Sequence, residues 1–378
     1  MKKMIAYMLT GVLTLGLLAG CGSSAKTESQ AAPAADSQAA VSPTVPATAT
    51  PAPESVPESQ AEEAEDEENY ETGDASLDDP RNGDDIGSME ILVVSFGTSY
   101  NDSRRETIGA IEEAIEDEFG EDWSIRRAFT SQIIIDHVKA RDGEEIDNVT
   151  EALDRAVENE VETLVVQPTH LMNGFEYNDL SDELAEYADS FDQIVLAEPL
   201  LSDDDDFEAV AEAIVEATEE YDDGETAICF MGHGTEAESN KVYARMQEIL
   251  DDGETAIIFM GHGTEAASNG VYAKLQEMLT AAGYEHYFIG TVEAEPSVED
   301  VLEMVQDGDY KRVVLRPLMI VAGDHANNDM AGDDEDSWKS VFENEGYEVV
   351  CVVEGLGQLE AIRDLIVEHT QDAIDELD

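Results

Sequence analysis

Positive charge is what this 378-residue chain most lacks: 19 Lys and Arg stand against 89 Asp and Glu, a formal net charge of −70. A nucleic-acid groove needs clustered cations, so no nucleic acid is expected as a partner. The deficit is not confined to one end. From Met89 onward 73 acidic residues face 15 basic ones, and most of these acids read as a solvated surface. Cysteine is scarce as well. Of the three, Cys229 and Cys351 lie in apolar, strand-like runs and read as buried thiols rather than a disulfide. The chain has no nucleophile elbow, no Walker loop and no His-Glu-x-x-His helix, which leaves a metal-dependent hydrolase without support. Hydrophobic residues make up 42% of the chain, enough for a core, and the length leaves room for two domains and a tail.

The N-terminus reads as a targeting segment outside the fold. Lys2 and Lys3 precede an apolar run from Met4 to Ala19, and Leu18-Ala19-Gly20-Cys21 follows the small-residue pattern of a bacterial lipoprotein cleavage box. Residues 1–21 are therefore expected to be a signal peptide, with Cys21 lipidated after cleavage. That implies an extracytoplasmic protein tethered to the membrane by its acyl chains. Residues 22–88 are rich in Ala, Pro, Ser and Thr and then acidic, a composition that cannot bury enough apolar surface to order itself. They are expected to form a disordered spacer.

From Met89 the pattern alternates short apolar strands with amphipathic helices, which predicts an α/β fold with parallel βα units. Strands are expected at Ile91–Phe96, Thr163–Gln167 and Ile194–Ala197, a helix at Ser103–Phe119, and a second βα series from Ala227. Residues 89–200 and 201–378 form the two expected domains. Strand ends carry the chemistry, because open α/β sheets build sites beyond their carboxyl edges. An apolar run from Val313 to Val321 stops at Gly323 and delivers Asp324 and His325. The segment IIFMGHGT delivers His262, and YFIGTVE delivers Glu293. Two imidazoles and a carboxylate on one edge suit a late first-row divalent metal with a coordination position left open.

Residues 222–250 recur as residues 251–279, with 23 of 29 positions identical. Each copy is one strand, one Gly-His-Gly loop and one helix, so His233 and His262 compete for the same role. The second copy runs directly into the strand ending at Glu293, preserving a short βαβ crossover. This continuity favours His262, with His233 the alternate, and predicts that the first-copy strand, Ala227 to Met231, adds at a sheet edge.

Taken in order, ILVVSFGTSYNDSRRETI from Ile91, RAFTSQIII from Arg127, QPTHLMNGFEY from Gln167, Met-Gly-His-Gly, Gly-Thr-Val-Glu, PLMIVAGDHANNDMA with Asp-Ser-Trp-Lys, and GLGQLEAIRDLIVEH from Gly355 resemble the anaerobic cobalt chelatases (sirohydrochlorin cobaltochelatases). The resemblance covers the chain from about Met89 to its end and departs from the family in carrying two Gly-His-Gly modules. It implies two similar parallel-sheet domains facing across a cleft, the class II chelatase arrangement, with the last helix, near Ala361 to Leu377, packing back on the first domain.

It also implies insertion of Co2+ into sirohydrochlorin with release of two protons, a step of anaerobic cobalamin synthesis; Ni2+, Fe2+ and Zn2+ are other candidate metals. His262 (or His233) then accepts a pyrrole proton, with Glu293 as the second catalytic group. His262, Glu293 and His325 bind the metal. Ser95, Thr98, Ser99, His170, Arg104 and Arg316 are candidates for holding the tetrapyrrole, with Arg105, Arg126, Arg127 and Lys339 as further cations near strand ends. His137, His286 and His369 read as surface or helix residues, and a homo-oligomer is compatible with the reading. The competing expectation is an extracytoplasmic haem, tetrapyrrole or metal carrier for uptake built on the same fold, because tetrapyrrole synthesis normally runs inside the cell.

Overall fold

A computed structural model describes residues 72–84, 87–221, 223, 225–233, 257–260, 286–292 and 296–377. The expected signal peptide, Cys21, His262 and Glu293 lie outside the described residues. Among the described residues no helix is long and apolar enough to cross a membrane.

Strands β1 (Met89–Ser95), β2 (Ser124–Phe129), β3 (Thr163–Pro168) and β4 (Gln193–Leu196) form a parallel sheet in the order β2-β1-β3-β4. Ile91, Leu92, Val93 and Val94 of β1 are all fully buried. A parallel strand covered on both faces needs such a run, and each of these side chains contributes about 1.5–3 kcal/mol on burial.

The chain leaves β1 through Gly97, whose φ of +101° suits glycine. It then forms α1 (Asn101–Arg104), a π-helical turn (Arg105–Gly109) and α2 (Ala110–Phe119), so the expected helix is one unit with a local bulge. Helix α3 (Gln132–Asp142) closes on Gly143 at φ +76°, and α4 (Val149–Glu158) opens with an Asn148–Glu151 capping box. Helix α5 (Phe175–Tyr187) follows β3, and α6 (Asp204–Glu216) follows β4 behind a second capping box, Asp203–Asp206.

The second sheet is parallel, in the order β6-β7-β5-β8-β9, from β5 (Thr226–Gly232), β6 (Ile257–Met260), β7 (Tyr287–Thr291), β8 (Arg312–Pro317) and β9 (Glu348–Cys351). Helices α7 (Val298–Gln306) and α8 (Trp338–Asn344) flank it. This order corrects the expected fate of the repeat. The first-copy strand, β5, lies between β7 and β8 with every residue buried, and the second-copy strand, β6, occupies the edge. An inserted strand added at the free edge leaves the β5–β7 and β5–β8 pairings intact. Cys229 and Cys351 are free thiols in β5 and β9, and burial pushes both up, Cys351 to about 11.

Helix α9 (Glu360–Asp375) crosses back to the first sheet, where Thr370 Oγ1 donates to Gln167 Oε1 at 2.9 Å. His369, expected at the surface or on a helix, lies on this same helix and is buried. Its Nε2 lies 2.9 Å from Asp206 Oδ1 and its Nδ1 lies 3.3 Å from the Glu198 carbonyl. Burial opposes charge on this ring, but the Asp206 carboxylate and the Glu198 carbonyl outweigh it and raise the imidazole above its ordinary value.

The spacer also needs correction. Residues 72–84 carry a 3₁₀ turn (Ala75–Leu77) and lie on the first half. Asp78 is held by Arg104 Nε at 2.6 Å and by Arg127 Nη1 and Nη2 at 2.6 and 3.0 Å. Low-complexity composition fails to forecast this order because ion pairs and hydrogen bonds, with Asp78 at their centre, tie the segment down in place of apolar burial.

Candidate functional site

His233 follows the last residue of β5, and its ring centroid lies 5.2 Å from that of His325 with the planes 71° apart. His325 sits in the loop beyond β8, just before a π-helical turn (Ala326–Met330). β5 and β8 are neighbours in register from Thr226/Arg312 to Met231/Pro317, so the sheet itself sets the two histidines side by side.

Asn327 Nδ2 ties the His325 loop down by donating to the Gly323 and Ala322 carbonyls at 2.7 and 3.3 Å. His325 Nδ1 lies 2.7 Å from Asp329 Oδ2, one helical turn on. A carboxylate on Nδ1 favours the tautomer that carries its proton there, the arrangement outer-shell carboxylates give to metal-binding imidazoles. Among the described residues no group of three or more His, Cys, Asp or Glu side chains is arranged to hold a metal. Glu293 would follow β7 by two positions, outside the described residues.

The loop after β1 abuts this site. Ser103 Oγ accepts the Ala322 N–H at 3.0 Å, and a Cβ placed on Gly323 would stand 3.2 Å from Thr98 Oγ1. The hydroxyls expected to hold substrate are buried, however: Ser95, Thr98 and Ser99 are 1%, 2% and 0% exposed. Ser95 Oγ accepts from Thr169 Oγ1 at 2.8 Å, and Thr98 Oγ1 accepts the Tyr100 N–H at 3.2 Å. They shape the loop from within and present no surface to a macrocycle.

The two arginines expected to contact substrate are also committed elsewhere. Arg104 is fully buried between Asp78 and Glu144 and donates to the Thr98 carbonyl at 3.3 Å. Arg316 is 2% exposed, paired to Glu354 and bonded to the Ala217 carbonyl. Arg105, Arg126, Arg127 and Lys339 are likewise each ion-paired. In a chain so short of cations, acids both buried and exposed take them first.

His170, beyond β3, differs from all of these. Its side chain is 8% exposed, and among the described residues neither ring nitrogen has a hydrogen-bond partner. Glu176 Oε2 stands 3.7 Å from its Nε2. Burial pushes the imidazole down to about 4, so it is neutral at ordinary pH and able to accept a hydrogen bond. A neighbouring groove of about 340 Å³ is lined by Phe96, Thr130, Glu176 and Glu183 among others.

Two functional contacts escape a reading of the sequence. Asp329 was recoverable, since it stands four residues after His325 on a turn. Asp78 was not, being one acid within an acidic stretch.

Two parallel sheets, with two imidazoles side by side at the carboxyl edge of the second and one of them oriented by a carboxylate, define an α/β protein whose candidate site lies at that edge. The cobalt chelatase (CbiK) family model matches residues 89–256 and again 251–375, and the chain belongs to that family. The two matched ranges meet at the repeat. A sirohydrochlorin cobaltochelatase of Salmonella typhimurium is 33% identical over 284 residues, covering 75% of this chain and 96% of its own length. The sirohydrochlorin cobaltochelatase CbiKC of Nitratidesulfovibrio vulgaris is 28% identical over 290 residues, 76% of this chain and 91% of its own length. Among solved structures, the sirohydrochlorin chelatase SirB of Bacillus subtilis subspecies spizizenii in complex with cobalt aligns with a TM-score of 0.46 at 12% identity, over 77% of this chain and 97% of that one.

Proposed function

We propose that this protein is a sirohydrochlorin cobaltochelatase that inserts Co2+ into the tetrapyrrole, the metal being a substrate, with release of two pyrrole protons. The observation that carries the reading is the His233–His325 pair on adjacent strands of a chain belonging to the cobalt chelatase family. His325, oriented by Asp329, holds the metal through Nε2. His233 is the Gly-His-Gly histidine that ligates the metal and takes a pyrrole proton, since neutral imidazole serves either role near neutral pH. Glu293 completes the metal set and can take a proton. His170, neutral and with its side chain largely buried at the end of β3, is a hydrogen-bond acceptor for a pyrrole N–H or a protonated substrate edge. Placement of β5 at the centre of the second sheet supports His233 over His262 for these roles.

The leader sequence supports an extracytoplasmic enzyme anchored through lipidated Cys21. Recognition of the carboxylate-rich macrocycle then relies on groups other than Arg104 and Arg316.

Full-length protein mixed with Co2+ and sirohydrochlorin should show the absorbance change of metal insertion. His233→Ala should abolish it and His262→Ala should retain it. Loss with His262→Ala alone would reverse the choice of copy, and tight pigment binding without insertion in the wild type would make the protein a carrier.

A further inference from the structure

We propose that residues 72–84, which precede the part of the chain matched by the family, form a positioning strap in which Asp78 sets the placement of the His325 loop. The inference rests on the chelatase reading for its functional consequence and on geometry for the strap itself.

The contacts run in an unbroken line. The Asp102 N–H donates to the Thr72 carbonyl at 2.8 Å, and Asn101 Nδ2 donates to the Gly73 carbonyl at 3.2 Å, so the strap grips the start of α1. Asp78 binds Arg104 from the same helix at 2.6 Å, and Arg104 binds the Thr98 carbonyl. Between those residues Ser103 Oγ accepts the Ala322 N–H, and Thr98 packs against Gly323. His325 is two residues further on. Strap, α1 and metal loop thus share hydrogen bonds that fix one another.

Charge makes Asp78 indispensable to this line. The buried cluster holds Arg104, Arg127 and Arg81 against Asp78, Glu112 and Glu144, three of each sign. Asp78 is the one acid that bridges Arg104 to Arg127, and its side chain is 3% exposed. Without it Arg104 keeps a single acid, Glu144, whose side chain is 16% exposed, beside the Thr98 carbonyl, and the bridge from Arg104 to Arg127 of β2 is lost. A positioning role differs from a stabilising one, because only positioning changes how the metal loop meets Co2+.

The test uses the full chain with Asp78→Asn, beside Leu184→Ala as a control. Leu184 is buried on α5 in a core cluster with Val149, Leu153 and Leu164 that includes no residue of the strap, α1 or the metal loop. Below both unfolding temperatures, Asp78→Asn should raise the KM for Co2+ about tenfold, the scale of an outer-shell perturbation, with the KM for the tetrapyrrole little changed. The same variant should speed amide hydrogen exchange across 319–330 and weaken Co2+ binding measured without tetrapyrrole. Leu184→Ala should lower Tm and leave the Co2+ KM and that exchange unchanged.

If Asp78→Asn does not fold, Gly73→Ala replaces it. Gly73 has φ +95°, and a Cβ there would collide with the Asp102 carboxylate, prising the strap from α1 without touching the ion cluster. Unchanged exchange at 319–330 and unchanged Co2+ binding in the folded variant would overturn the strap. Failure of the wild type to insert cobalt would overturn the chelatase reading instead, and the exchange and binding results would still decide the strap.

Discussion

Glu90 gives the sharpest test of the electrostatics that hold this acidic chain together. It lies in β1, 0% exposed, and among the described residues neither carboxylate oxygen has a hydrogen-bond partner. Arg126 Nη1 stands 3.7 Å away, and the same guanidinium pairs through Nη2 with Asp147. Burial dominates, opposed by the Arg126 charge and reinforced by Asp147, and the Glu90 carboxyl is raised from 4.5 to about 7. Because the folded-state value is raised, the folded chain holds this proton where the unfolded chain releases it. The contribution is therefore complete below the unfolded value and is lost as pH rises through about 7. At 1.36 kcal/mol per unit, the difference between 4.5 and about 7 costs about 3 kcal/mol on the alkaline side. Glu90→Gln keeps the shape and removes the titration. Urea denaturation from about pH 5 to about pH 8 should show the variant gaining on the wild type by about 3 kcal/mol as pH rises. A wild-type-to-variant difference that stays flat over that range would refute the reasoning.

Other expectations follow from single contacts. Asp329→Asn should weaken Co2+ binding roughly 10–100-fold by titration, since the carboxylate orients His325, while leaving Tm nearly unchanged. Gly97→Ala should lower stability by about 1–3 kcal/mol in denaturant unfolding, because its φ is +101° and an added Cβ would stand 2.6 Å from the Phe129 ring. Asp206→Asn should lower Tm at about pH 6, with the deficit shrinking towards about pH 9. The raised His369 imidazole contributes below its unfolded value, and that contribution fades as pH rises through the folded one. Proline at Phe230 in β5 should lower Tm markedly by breaking pairing to both β7 and β8, while proline at the equivalent Phe259 in edge strand β6 should lower it clearly less in the same thermal scan.

The strands at Ile91, Thr163, Ala227 and Val313 were legible because a parallel strand buried on both faces must be a continuous apolar run. β2 was not legible by that signal. Its segment SIRRAF carries Arg126 and Arg127, which are tolerated inside because Asp147, Glu112 and Asp78 neutralise them. Those partners are 15 to 49 residues away from the arginines they bind. The same long-range pairing hid the strap and withdrew Arg104 and Arg316 from the expected substrate surface. A count of strand-end cations assumes that each is available, and the assumption fails where acids outnumber bases nearly five to one. His325 was legible because its position at a strand end is written locally, whereas the contacts that fix its loop, from Ser103 and Thr98, lie more than two hundred residues away and were not.

The duplicated module shows where local reasoning stops. Its copies differ at only six positions, so propensity and pattern offer almost no basis for choosing between β5 and β6. Continuity with the following strand favoured the second copy, on the premise that neighbours in sequence become neighbours in the sheet. β6 does pair with β7, yet β7 pairs on its other side with β5, so continuity and centrality point to different copies. The His325 strand breaks the tie. β8 pairs with β5 and has no register with β6 among the described pairings, so His233 stands beside His325 at the sheet edge. On the proposed assignment, the working histidine follows from the partner that β8 selects, not from either copy's own sequence.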